Sequence, residues 1–224
     1  SYEEAVKWYT LAAEQGYAKA QSKLGFLYER GNGVSQDYTK AAEWYRKAAE
    51  QGYALAQHNL GVLYYKGYGI SQDYKKAAEW SRKAAEQGNA DAQYNLGVFY
   101  YNGYGVSQDY TKAAKWYKEA AEQEDAGAQH ALGLMYYTGK GVSQDYTKAT
   151  EWYRMAAEQG NDEAQYKLGN IYLAGFGVSQ DSAKAAEWYR KAAEQGNADA
   201  QFYLGYMYDT GKGISQNYVK AAEW

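Results

Sequence analysis

The stretch Asp37–Gln72 reads DYTKAAEWYRKAAEQGYALAQHNLGVLYYKGYGISQ. Counterparts begin at Ser1, Asp73, Asp109, Asp145 and Asp181, and a truncated copy, NYVKAAEW, begins at Asn217. The tryptophans mark the period: Trp8, Trp44, Trp80, Trp116, Trp152, Trp188 and Trp224 stand 36 residues apart, and there are no others. A fixed period of about 34 to 47 residues in a helix-rich pattern signals stacked helix pairs, each unit touching only its neighbours. The chain therefore divides into repeats 1–36, 37–72, 73–108, 109–144, 145–180 and 181–216, with a partial repeat 217–224. No insertion or linker interrupts the series, so 1–224 reads as a single array.

Each unit predicts two helices. The first runs from about Tyr38 to Gln51. Asp37 is suited to cap it, because its carboxylate can accept a free backbone N–H of the first turn. Gly52 follows at the position where a left-handed residue closes a helix. Ala41, Trp44, Tyr45 and Ala48 form an apolar stripe at helical spacing. On this pattern the tryptophans are core residues. The second helix runs from about Ala54 to Lys66, with Leu60, Leu63 and Tyr64 as its buried stripe. Later copies open with Asn89, Asp125, Asn161 and Asn197, all competent caps. A turn of only two or three residues makes the paired helices antiparallel neighbours. Gly61 lies inside the second helix, as do Gly97, Gly133 and their other counterparts. A glycine there costs about 1 kcal/mol relative to alanine. The offset is expected from close backbone approach, with a Trp or Tyr of a neighbouring helix filling the space.

The strings LGVLYYKGYGISQDYKKAAEW and RKAAEQGNADAQ resemble Sel-one-like repeats, relatives of the tetratricopeptide repeats. The resemblance covers all 224 residues. Leu-Gly-x-x-Tyr, Gly-x-Gly and Ala-Ala-Glu-Gln-Gly recur at fixed offsets. One departure is Glu124, where the other copies have the loop glycine. The expected fold is an all-α, right-handed α-solenoid.

Composition narrows the function classes. Net charge is −3 with acids and bases interspersed, whereas a nucleic-acid surface would cluster Lys and Arg. No apolar run approaches the roughly 20 residues of a membrane span. Cysteine is absent, which excludes a disulfide framework and leaves the compartment open. No signal peptide is visible. The chain stops inside a helix, so a fragment is expected, and apolar Val219, Ala221, Ala222 and Trp224 predict end-to-end self-association or further repeats.

No constellation calls for a catalytic reading. His58 and His130 occupy the same repeat position two units apart, and zinc would need three or four convergent ligands. The serines of the Ser-Gln-Asp joins have no recurring histidine to activate them. The Gly-x-Gly loops lack the Lys-Ser/Thr of a phosphate loop. No cofactor or metal site is expected.

Variation between repeats is more informative. It concentrates on the second helix, in columns that begin with Ser22, Phe26, Glu29 and Arg30. Their bulky members are His58, Tyr94, His130, Tyr166 and Phe202; Val62, Val98, Leu134 and Tyr206; and Tyr65, Tyr101 and Tyr137. Positions 58, 62 and 65 share one helix face. In tetratricopeptide-like arrays the matching face lines the concave groove and contacts bound peptide. The resemblance thus implies a protein- or peptide-binding scaffold rather than an enzyme, with the Tyr65, Tyr101 and Tyr137 ladder exposed at its centre. Two alternatives stand beside it: a weak hydrolase or β-lactam-binding protein, as suggested for cysteine-rich family members, and cell-wall glycan binding through aromatic platforms.

Overall fold

The computed structural model describes residues 1–224 and is all-helical. Thirteen helices follow in order: α1 (Tyr2–Glu14), α2 (Ala18–Arg30), α3 (Tyr38–Glu50), α4 (Ala54–Lys66), α5 (Tyr74–Glu86), α6 (Ala90–Asn102), α7 (Tyr110–Ala121), α8 (Ala126–Thr138), α9 (Tyr146–Glu158), α10 (Asp162–Ala174), α11 (Ser182–Glu194), α12 (Ala198–Thr210) and α13 (Tyr218–Glu223). No helix is long and apolar enough to cross a membrane. The residues form two compact units, Ser1–Trp116 and Tyr117–Trp224. In the first, α1 to α6 each pack on the next; in the second, α8 to α13 do the same.

The caps set the boundaries. The Asp37 carboxylate accepts the Lys40 N–H at 3.0 Å, and Asp73, Asp109, Asp145 and Asp181 repeat the bond. In those four later copies this backbone bond is the main reason the carboxyl is held below its usual pKa. The even-numbered helices α4 to α10 end at a left-handed glycine, as at Gly67 with φ 72°. The join from α4 to α5 is tied by the Gln72 side chain, which donates to the Tyr65 carbonyl at 2.8 Å.

Glu124 is the only non-glycine residue with positive φ, at 66°. Its N–H still bonds the Ala121 carbonyl, as Gly160 bonds Ala157, so the turn keeps its shape although the residue there carries a side chain.

The interior differs from the tryptophan-based expectation. Tyr45 is 0% exposed, with Ala41, Ala42, Ala48 and Ala49 around it. Trp44, Trp80, Trp116, Trp152 and Trp188 are only half-buried, and Trp8 is 71% exposed. One residue along a helix turns the side chain by about 100°. Tyr45, Tyr153 and Tyr189, each next after a tryptophan, face the preceding repeat, and the tryptophan lies at the edge of the core. At Trp44, Trp80 and Trp188 a lysine one turn on covers the ring, with Lys47 Nζ 4.0 Å from the Trp44 ring centre.

Gly25, Gly133 and Gly169 accept that tyrosine. A β-carbon on Gly25 would lie 2.8 Å from Tyr45 Cδ1, and one on Gly133 would lie 2.8 Å from Tyr153 Cδ1. The aromatic group expected from a neighbouring helix is thus tyrosine, and its contact is the lock between α2 and α3 and between α8 and α9.

A second lock is polar and was not foreseen. Gln57 is buried; its amide donates to the Ala49 carbonyl at 3.1 Å and its oxygen accepts from Gln87 Nε2 at 2.7 Å. Gln21, Gln129 and Gln165 repeat the pattern. Each adds a second bond to a helix-end carbonyl that already accepts a backbone N–H of the turn. Gln51 and its copies are therefore ties between repeats.

Candidate functional site

The variable columns lie on the second helix of each repeat. On α4 and α6 they come together: His58, Val62, Tyr65, Tyr94 and Val98 line one open pocket of about 530 Å³, with Phe99 and Asn95. Asp91 and Lys66 are exposed residues of the same lining. In the second unit Leu134 and Tyr137 line a smaller pocket of about 150 Å³ with Tyr153 and Asn170. Phe202 and Tyr206 line a third with Tyr218 and Trp224, beside α13.

Exposure along the columns is uneven. Phe202 and Tyr206 are 69% and 47% exposed, and the other bulky members are half-buried. The ladder tyrosines in particular are not free. Tyr65 meets Tyr74 at 5.6 Å, Tyr101 meets Tyr110 at 5.1 Å, and Tyr137 meets Tyr146 at 5.2 Å between ring centres. Each ladder ring packs on the first tyrosine of the following helix, because both flank the same Gly-x-Gly loop. The expectation of an exposed ladder is corrected to a half-buried seam.

The column that holds the histidines runs beside the interlocking tyrosines of the second unit. His130 lies 5.6 Å from the Tyr153 ring, and Tyr166, in the same column, lies 6.0 Å from Tyr189. Burial pushes both imidazoles below their usual pKa of 6.5; for His58 Asp91 opposes this, and for His130 Lys167 adds to it. His58 Nδ1 and His130 Nε2 are buried without a hydrogen-bond partner. No three His, Cys, Asp or Glu side chains converge on one point.

The interlocking hydroxyls reach the variable columns. Tyr45 donates to Glu29 at 2.6 Å and Tyr189 to Asn170 at 2.7 Å. Burial is the main reason that the Tyr45, Tyr153 and Tyr189 hydroxyls are pushed well above their usual pKa. In α5 the position is Ser81, fully buried, with its Oγ unpartnered. The signal in the sequence is one letter, Trp80-Ser81-Arg82 where the repeat 37–72 has Trp44-Tyr45-Arg46.

The comparisons with known proteins agree with this architecture. The chain is 44% identical to c5321, a protective antigen of uropathogenic Escherichia coli with an SLR fold, at a TM-score of 0.93. That match covers 96% of this chain and 46% of the antigen, so the chain spans about half the length of that protein. A Sel1 repeat protein from Oxalobacter formigenes is 40% identical over 100% of this chain and 89% of its own, at a TM-score of 0.90. Both are helical-repeat solenoids of the kind seen here. No curated protein sequence matches the chain. Sel1 repeat proteins are generally protein-interaction scaffolds. The Sel1 repeat model matches residues 1–17, 18–53, 54–89, 90–125, 126–161, 162–197 and 198–224, a frame that joins each second helix to the first helix that follows it in the sequence, and the chain belongs to the Sel1 repeat family.

Proposed function

We propose that the chain is a scaffold whose second-helix face binds an extended segment of a partner protein. The observation that carries this reading is the division of labour within the repeat. The glycine, alanine and glutamine positions that lock the helices scarcely vary, whereas the columns of His58, Val62 and Tyr65 vary freely and line open pockets. Half-buried aromatic and aliphatic groups beside exposed polar ones, here Lys66 and Asp91, make a surface that rewards a partner's apolar side chains while orienting its backbone. Glycan binding is less well served, because the Tyr65, Tyr101 and Tyr137 rings meet their neighbours at 48° to 65° rather than forming a flat platform.

The test is affinity capture from the native lysate with the wild-type chain and with a Val62→Glu/Val98→Glu variant. Both valines are half-buried on the face, so the melt should change little. The reading expects a defined protein to be captured by the wild type and lost with the variant. An identical captured set from both proteins would remove the face from the binding account.

A further inference from the structure

The pocket over α4 and α6 is anomalous for its repeat position. The cell one repeat earlier is lined by Ser22, Phe26, Leu55 and Asn59 and measures about 200 Å³. The cell two repeats later, lined by Leu134, Tyr137 and Asn170, measures about 150 Å³, and Tyr153 is one of its walls. The cell between α4 and α6 measures about 530 Å³. Of the three it alone lies in the range of about 300–1,000 Å³ typical of small-ligand sites.

Ser81 is the cause. In the two smaller cells the underlying helix supplies Tyr45 or Tyr153, whose ring lies on the helix glycine of the preceding repeat. At Gly61 no ring is present: a β-carbon there would meet Ser81 Oγ at 2.9 Å and the Ala77 carbonyl at 3.2 Å. Phe99 stands where Leu63, Met135 and Ile171 stand in other repeats, and it takes up part of the missing volume by packing on Tyr65 at 5.5 Å. The surroundings of a phenol otherwise persist. His58 corresponds to His130, which lies beside the Tyr153 ring, and Asn95 corresponds to Asn59, which meets the Tyr45 hydroxyl. His58 Nδ1 and Ser81 Oγ are buried and unpartnered, and so are His130 Nε2 and the Tyr153 hydroxyl, so the partner of a phenol oxygen is read from Asn95.

We infer that this cell is the anchor site of the face and that it takes a tyrosine side chain of the partner, which replaces the phenol the chain lacks at Ser81. The inference rests on the scaffold reading for its partner, but the pocket can be tested without one. The Asn95 amide, the counterpart of Asn59 at the Tyr45 hydroxyl, bonds the phenol oxygen. The ring fills the space against Val62, Val98 and Phe99. The 150 and 200 Å³ cells do not compete: Tyr153 is a wall of the first, and the repeat of the second keeps its own tyrosine, Tyr45, on Gly25.

The probe is p-cresol, the tyrosine side chain alone, titrated against the 224-residue chain and followed by methyl NMR, with toluene as comparator. The inference expects saturable p-cresol binding that shifts the Val62 and Val98 methyls, with weaker toluene binding. Ser81→Tyr should abolish it. Because Phe99 leaves less room for a new ring, a Ser81→Tyr/Phe99→Met variant is measured beside it; this protein should melt higher than the wild type and also fail to bind. Absence of saturable p-cresol binding, or equal binding by a folded Ser81→Tyr/Phe99→Met protein, overturns the pocket. Equal affinity for toluene and p-cresol overturns the assignment to tyrosine. These outcomes are independent of whether the lysate yields a partner, so failure of the anchor site and failure of the scaffold reading can be told apart.

Discussion

The Tyr45 ring lies so close on Gly25 that a β-carbon there would meet Cδ1 at 2.8 Å and the Ala41 carbonyl at 3.2 Å. Tyr153 repeats the contact on Gly133. Adding a methyl group to a well-packed contact costs about 1–3 kcal/mol, more than the roughly 1 kcal/mol that alanine returns in helix propensity. Gly133→Ala should therefore destabilise the chain by about 1–2 kcal/mol on these principles. Gly61→Ala should cost distinctly less, because its nearest neighbour is the rotatable Ser81 hydroxyl. Urea melts of the two variants give the comparison; equal losses would mean that the tyrosine contact is not what holds the glycine in place.

Trp44 and Tyr45 should separate in the same assay. Tyr45 is fully buried and bonded to Glu29, so Tyr45→Ala should cost about 3–5 kcal/mol, as for other buried aromatic truncations. Trp44 is half-buried beneath Lys47, and Trp44→Ala should cost about half as much by area lost. A larger loss at Trp44 would reinstate the tryptophans as the core.

Glu124 holds a left-handed backbone that costs an L-residue about 1–2 kcal/mol. Glycine occupies the position elsewhere, and at Gly52 and Gly160 an added β-carbon would meet nothing, so the strain is in the backbone alone. Glu124→Gly should stabilise by about 1 kcal/mol after the flexibility of unfolded glycine is counted. A lower melting temperature would show that the Glu124 side chain makes an offsetting contact.

Acid should destabilise the chain through its histidines. His58 and His130 have folded pKa values below 6.5 because burial disfavours the cation, so on falling pH the unfolded chain takes up protons first. Stability is then complete above the unfolded value and declines as pH falls from 6.5 toward the folded value, by at most about 1.4 kcal/mol per pH unit for each histidine. The capping aspartates, lowered from 3.8, act only in stronger acid, since their stabilisation is present above that value and lost below it. Melting temperatures recorded from pH 7 down to about pH 5 should fall, and His58→Gln/His130→Gln should flatten the profile. An unchanged slope in the double variant would assign the acid sensitivity elsewhere.

Helix limits, caps and repeat frame were legible because each is signalled locally: Asp37 before the first helix, Gly67 after the second. The choice between Trp44 and Tyr45 was not legible. Both fall within one apolar stripe, and periodicity does not say which of two adjacent aromatics meets the next helix. The glutamine ladder was hidden because its partners lie 30 residues apart, as Gln57 and Gln87 do, and a polar residue in a helix reads as surface. Of the face, the helix and the columns were readable from variation between repeats, and His58, Val62, Tyr65, Tyr94 and Val98 do share a pocket. Ser81, to which we attribute its size, sits on another helix in a column that is otherwise tyrosine.

The scaffold account is tested most directly by a methyl NMR titration of the chain with its captured partner. Val62, Val98 and Leu134 report on the second-helix face, while Leu11 and Met155 are exposed on tyrosine-bearing helices. The account predicts that the partner shifts the Val62 and Val98 methyls in a saturable manner and leaves Leu11 and Met155 in place. Shifts confined to Leu11 and Met155, with Val62 and Val98 unmoved, would contradict it.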